Sequence, residues 1–184
     1  MAERVKKRSE IREQDTWKLE DMIASPEKFE ELADGVEERI PGYETYRGKL
    51  GSSADLLKSY LEFDESMDET ISLLYAYAMQ KRDQDTSVSE NQALVSRVQS
   101  LAVKAMAASS FAQPEILEIP DETMNGFLET DELKAYKLQI ERLLAKKPHM
   151  LSEKEEAILA SASEIAHTPS SVFSLFNNAD LKFD

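Results

Sequence analysis

Residues 52–80, SSADLLKSYLEFDESMDETISLLYAYAMQ, decide how the chain is read. Leu56, Tyr60, Phe63, Met67, Ile71, Leu74 and Ala78 follow one another by steps of four or three. That spacing places one apolar stripe along a helix. Ser52 or Ser53 caps its start, because a hydroxyl there accepts an otherwise orphaned backbone N–H. The acidic run from Asp64 to Asp68 is expected to bend or interrupt it. A second series follows at Leu94, Val98, Leu101, Ala105, Ala108 and Ala112, with Ser87 and Glu90 at capping-box spacing before it. Three successive alanines in that stripe allow a neighbouring helix to come close. Arg82 to Thr86 form a short polar loop between the two, so they fold as a long antiparallel helix hairpin.

The remaining punctuation agrees. Five Gly and six Pro in 184 residues favour long helices over many short strands. Ser25-Pro26-Glu27 reads as cap, first-turn proline and dipole-matched acid, opening a helix that runs to Arg39 before Pro41-Gly42. Leu133, Tyr136, Ile140, Leu143 and Leu144 mark another helix, stopped near Pro148. Ser152 with Glu155 is a second capping box, followed by Ile158, Leu159 and Ile165, and Pro169 opens a last helix through Phe173 and Phe176. Only Asp180-Leu-Lys-Phe-Asp184 alternates as a strand does, with no partner strand in the chain. The expected fold is an all-α helical bundle in one domain, 1–184. Residues 1–15 are expected to be a flexible start, and 180–184 the beginning of a strand leading onward into a further domain.

Composition removes several classes of function. Lys and Arg number 22 against 36 Asp and Glu, a formal charge of −14. Nucleic-acid affinity comes largely from cations that displace condensed counterions, so this surface predicts no nucleic acid, and by the same reasoning no anionic membrane. Cationic ligands are the ones such a charge attracts. There is no cysteine, hence no disulfide, thiol nucleophile or thiolate metal site, and a cytoplasmic address fits. The basic start, Met1 to Arg8, has no apolar segment after it and is not read as a signal peptide. The longest uncharged stretch, Ile165 to Ala179, is 15 residues and contains Pro169. Spanning a bilayer takes about 20 mostly apolar residues.

Motifs that carry chemistry are few. The two histidines, His149 and His167, do not make His-Glu-x-x-His. Glu164 and His167 form Glu-x-x-His on one helical face, but a di-iron bundle needs a second copy, and Lys146 stands three residues before His149. That pair reads as an ordinary helix-surface pair. Asp64, Glu65, Asp68 and Glu69, and then Glu153, Glu155 and Glu156, are read as solvated faces, since acid catalysis needs two carboxyls in a pocket that perturbs them. Asp83-Gln-Asp85 lacks the glycine and final glutamate of a calcium loop and reads as a helix end followed by a cap. Ser109-Ser110 has no histidine nearby and reads as packing. Trp17, Tyr75 and Tyr77 suit a peptide-binding surface, but core burial is the stronger expectation for all three. The residues by themselves describe an acidic helical domain with no catalytic and no metal-ligating side chain assigned.

A string of segments carries a resemblance over nearly the whole chain. Asp15-Thr-Trp-Lys-Leu-Glu-Asp-Met22, Tyr46-Arg-Gly-Lys-Leu50 with Ser52-Ser53, and Tyr75-Ala-Tyr-Ala78 with Asp83 or Asp85 come first. Ser110-Phe-Ala-Gln-Pro-Glu-Ile116, Lys147-Pro-His-Met-Leu-Ser-Glu-Lys-Glu-Glu156 and Phe176-Asn-Asn-Ala-Asp-Leu-Lys-Phe183 follow. In order and spacing they resemble the N-terminal region of the oligoendopeptidase F family, zinc metallopeptidases related to thimet oligopeptidase. The resemblance implies a parent protein that cleaves oligopeptides, with zinc held by two His and a more distant Glu outside this segment. The metal polarises the scissile carbonyl and activates water. None of those ligands is in this chain, so the segment is expected to be inactive alone, and which of its residues touch substrate is not assigned. His149 lies in a matched segment and is read as structural.

The resemblance further implies that this segment forms a helical wall of a substrate channel that admits oligopeptides and docks a C-terminal catalytic domain. Its docking face is then expected to be apolar and to favour a homodimer when isolated. An acidic helical module that binds a protein partner is the alternative.

Overall fold

The computed structural model describes residues 10–85 and 88–149, together with Pro169 and Phe173. By contacts the chain divides into residues 1–141 and 142–184. The first unit is built on three helices: α1 (Pro26–Arg39), α2 (Ala54–Gln84) and α3 (Ser89–Ser109). Short helices α4 (Ala112–Glu118) and α5 (Asp121–Leu128) follow, and α6 (Lys137–Leu144) begins at the end of that unit. Among the described residues there is no strand, and the fold is all-α. No helix among them is long and apolar enough to cross a membrane.

Serine caps set the starts of α1 and α2 as the sequence predicts. The Ser25 hydroxyl accepts Lys28 N–H at 3.3 Å, with Pro26 in the first turn. It is Ser53, not Ser52, that caps α2, accepting Leu56 N–H at 3.1 Å. The acidic run does not interrupt α2, which continues for 31 residues, about 46 Å at 1.5 Å per residue. Its acids point away from the helix backbone: Asp64 accepts the Tyr43 hydroxyl at 2.7 Å and Glu65 that of Tyr136 at 2.8 Å, while Asp68 and Glu69 are exposed. Ser87 lies outside the described residues. The cap position of α3 is Val88, which offers no side-chain acceptor.

The hairpin is antiparallel. Asn91, at the start of α3, donates to the Lys81 carbonyl near the end of α2, and Phe111, just past α3, packs on Tyr60 near the start of α2 with ring centroids 6.1 Å apart. Helix α1 lies against both. Phe29 meets Tyr77 at 5.7 Å, Arg97 of α3 bridges Glu30 and Asp34, and Lys104 pairs with Glu37. Packing on two sides explains why the buried face of α2 is wider than one stripe. Tyr60, Met67, Leu74 and Ala78 are buried as expected, Leu57, Leu61 and Tyr77 join them, and Leu56, Phe63 and Ile71 are only half-buried. On α3 the buried side chains are Val95, Val98, Leu101 and Ala105. The stripe expected to run on to Ala112 stops at Ser109, and Ala112 is buried from α4 after the Ser110-Phe111 turn.

Other boundaries differ locally. Leu133 and Tyr136 precede α6 in a turn, and Pro148 sits in a 3-10 turn, Lys147–His149. Of the start expected to be flexible, residues 10–15 are described, and Glu13–Asp15 form a 3-10 turn. The Ser152 box, the Ile158–Ile165 segment and the strand at 180–184 lie outside the described residues. Pro169 and Phe173, from the expected last helix, are helical and exposed.

Candidate functional site

Two segments far apart in sequence meet at the base of the hairpin. Gly48 turns the chain with φ +75°, a conformation that costs a residue bearing Cβ. The Glu115 carboxylate of α4 accepts the backbone N–H of Gly48 at 2.8 Å and of Leu50 at 2.6 Å. The Arg47 guanidinium lies 4.4 Å over the Phe111 ring. Tyr43, Tyr46, Tyr60 and Phe63 pack beside this turn with centroid separations from 5.0 to 6.3 Å. Burial, reinforced by the hydrogen bond to Asp64, pushes the Tyr43 hydroxyl well above its ordinary pKa, and burial does the same to Tyr60. The result is a rigid junction that fixes where α2 starts. Nothing in the sequence singles out Glu115, because its partners are backbone groups more than sixty residues away.

The opposite end of α2 carries a ledge. Trp17 lies between two 3-10 turns, Glu13–Asp15 and Leu19–Asp21, and is 84% exposed. The expectation of burial fails here because Leu19, two residues on and 3% exposed, takes the core position beside Ile23. Tyr75 is also exposed, while Tyr77 is buried. Two residues on a helix are about 200° apart, so both cannot face the core. Three adjoining concavities of about 430, 510 and 500 Å³ surround the indole, with Gln80, Asp83 and Gln84 of α2 as the floor. The surrounding chain is pinned locally: Thr16 donates to the Glu13 carbonyl at 2.7 Å, Arg12 pairs with Asp15 at 2.8 Å and Lys18 with Asp21 at 2.8 Å.

The other sequence candidates do not converge. Asp64 and Glu65 serve as acceptors for tyrosines 43 and 136, and the Glu65 bond pushes Tyr136 up to about 12. Asp83 pairs with its neighbour Arg82 at 2.7 Å, and Asp85 stands at the C-cap of α2. Ser109 and Ser110 donate back to the Met106 and Ala107 carbonyls at the end of α3. His149 ends the 3-10 turn after α6. Glu153, Glu155, Glu156, Glu164 and His167 lie outside the described residues. Among the described residues no group of three or more His, Asp or Glu is placed to hold a metal ion, so they do not fit a zinc site.

Residues 115–183 match the family described as Oligopeptidase F. Over 177 residues the chain is 42% identical to Oligopeptidase PepF of Bacillus subtilis (strain 168), covering 96% of this chain and 26% of that protein. It is 40% identical over 179 residues to an Oligoendopeptidase F homolog of Lactococcus lactis subsp. lactis (strain IL1403), covering 96% of this chain and 30% of the relative. The crystal structure of oligoendopeptidase-F from Enterococcus faecium superposes with a TM-score of 0.63 at 33% identity, over 87% of this chain and 32% of that one. A crystal structure from Chlamydophila abortus has the same fold, with a TM-score of 0.79 at 23% identity over 98% of this chain. The chain thus spans between a quarter and a third of the length of the relatives it matches. It belongs to the oligoendopeptidase F family, as that family's N-terminal helical region.

Proposed function

We propose that this chain is the substrate-channel-forming domain of a zinc-dependent oligoendopeptidase that hydrolyses short peptides. The observation that carries the reading is the continuous match of 96% of the chain to part of a bacterial oligopeptidase. The zinc and its ligands belong to a catalytic domain outside this segment, and the segment contributes walls rather than reacting groups. A stiff wall is what the α1–α2–α3 layer supplies. The outward side of α3 fits the same role: its exposed positions include Gln92, Ser96, Gln99, Val103 and Met106, and only Glu90 and Lys104 among them are charged. In a chain that is 32% charged, so uncharged a side suits contact with a catalytic domain. In isolation the same side is where two copies would pair. The address we propose is cytoplasmic.

A chimera tests the reading. The matching region of the Bacillus subtilis relative is replaced by this chain, and cleavage of internally quenched peptides of increasing length is followed. Retained cleavage of short peptides and none of folded proteins is expected. A soluble, folded chimera that cleaves nothing, or cleavage that is indifferent to deleting the region, counts against it.

A further inference from the structure

The Trp17 ledge has chemistry that the channel reading leaves unused. The concavity of about 510 Å³ is lined by Trp17, Glu13, Glu20 and Gln84, with Lys18 also in its wall. The neighbouring charges are matched: Arg12 with Asp15, Lys18 with Asp21 and Arg82 with Asp83. Among the described residues Glu13 and Glu20 make no salt bridge, Glu20 acting on the Lys18 ammonium only at longer range, so two carboxylates without a close ion pair line the concavity with the exposed indole. An indole face attracts a cation through its quadrupole, and a carboxylate beside it adds Coulomb attraction and directed hydrogen-bond acceptors. Lys18 pairs with Asp21 three residues on, and the indole itself stays exposed.

We infer that the Trp17 ledge is a binding site for a cationic side chain of an oligopeptide, the guanidinium of arginine or the ammonium of lysine. Arginine is the better fit, because its planar group stacks on indole while its N–H donors reach carboxylates at the edge. The oligopeptide as carrier rests on the function proposed above; the preference for a cation rests on the ledge alone. The ledge adds a point of capture away from the reacting groups, selecting peptides by a charged residue rather than by the bond to be cleaved.

Trp17 is the single tryptophan of the chain, so its emission reports from the site itself. The full 184-residue chain is titrated with the blocked peptide Ala-Ala-Arg-Ala-Ala, and with the same peptide carrying uncharged citrulline in place of arginine. A saturable emission change is expected with arginine, weakened about fivefold or more by citrulline and by the double substitution E13Q/E20Q. It should also weaken as salt rises from about 0.01 M to about 0.15 M, where the screening length falls from about 30 Å to about 8 Å. Glu13 and Glu20 are exposed, and an unchanged circular dichroism spectrum verifies that the double variant folds.

Equal responses to arginine and citrulline, or an undiminished response in E13Q/E20Q, overturn the inference. So does a response seen only after residues 2–8 are deleted, which would assign the ledge to the chain's own Arg4, Lys6, Lys7 and Arg8. A chimera that cleaves peptides while Trp17 stays silent removes the cation site and leaves the channel reading. A Trp17 response beside an inactive chimera does the reverse.

Discussion

Glu115 holds Leu50 in place across 65 residues of sequence, its Oε1 accepting the Leu50 N–H at 2.6 Å while Oε2 takes that of Gly48 at 2.8 Å. A carboxylate that accepts two backbone donors does the work of a short strand pair: it ties down a turn whose own bond, Lys49 N–H to the Tyr46 carbonyl at 3.0 Å, closes it only locally. The helix hairpin fixes the two segments near each other, and Glu115 sets their register.

Removing that carboxylate leaves two backbone donors without their acceptor. E115A is expected to lose about 1–3 kcal/mol of stability, chiefly the cost of stranding the part-buried Leu50 N–H, since water can reach that of Gly48. Urea unfolding measures the loss. Hydrogen exchange should locate it, with the Gly48 and Leu50 amides speeding up before those of α1. Unchanged exchange at those two amides would show that the bond does not hold the turn.

Glycine substitutions separate strain from propensity. G48A places Cβ on a residue with φ +75° and should destabilise by about 1 kcal/mol or more, although there is open space around the position. Gly35 lies inside α1, also with open space and without a positive φ. G35A should therefore stabilise by about 0.5–1 kcal/mol, the difference between Gly and Ala in a helix interior. Thermal melts of the two variants should move in opposite directions. Shifts of the same sign would contradict this account of the turn.

Most of the architecture was legible in the residues. The step of three and four in α2 and α3, the Ser25-Pro26 cap and a cap at Ser52 or Ser53 specify the hairpin directly, while the loop expected from Arg82 starts only at Asp85 because α2 runs on to Gln84. Where the structure departs from the sequence pattern, tertiary contacts decide. The acidic run stayed helical because Tyr43 and Tyr136 supply hydroxyl donors to Asp64 and Glu65. Helices α4 and α5, seven and eight residues long, are too short to show a periodic stripe. The site was less legible. Trp17 looks like a core residue by type, and only the structure shows that Leu19 occupies the core instead. Glu115 carries no local signal, since its role is a pair of backbone contacts from a distant turn.

Alkaline pH should loosen the fold through its tyrosines. Burial raises Tyr43 and Tyr60, and hydrogen bonding to Glu65 raises Tyr136 to about 12. In each case the folded state keeps its proton to higher pH than the unfolded chain, whose tyrosines titrate near about 10. Stability from these groups is therefore complete below about pH 10 and is lost as pH rises through the folded values. Chemical denaturation at a series of pH values should show a fall above that point, shallower in Y43F. Stability that holds level or rises above about pH 10 would refute the sign of this linkage.

In the function proposed above, the chain shapes a path for peptides and supplies none of the reacting groups. The most direct test is zinc-dependent hydrolysis of an internally quenched oligopeptide by purified residues 1–184 alone. No cleavage above the buffer rate is expected at any zinc concentration. Saturable cleavage that appears with zinc and vanishes with a chelator would contradict it.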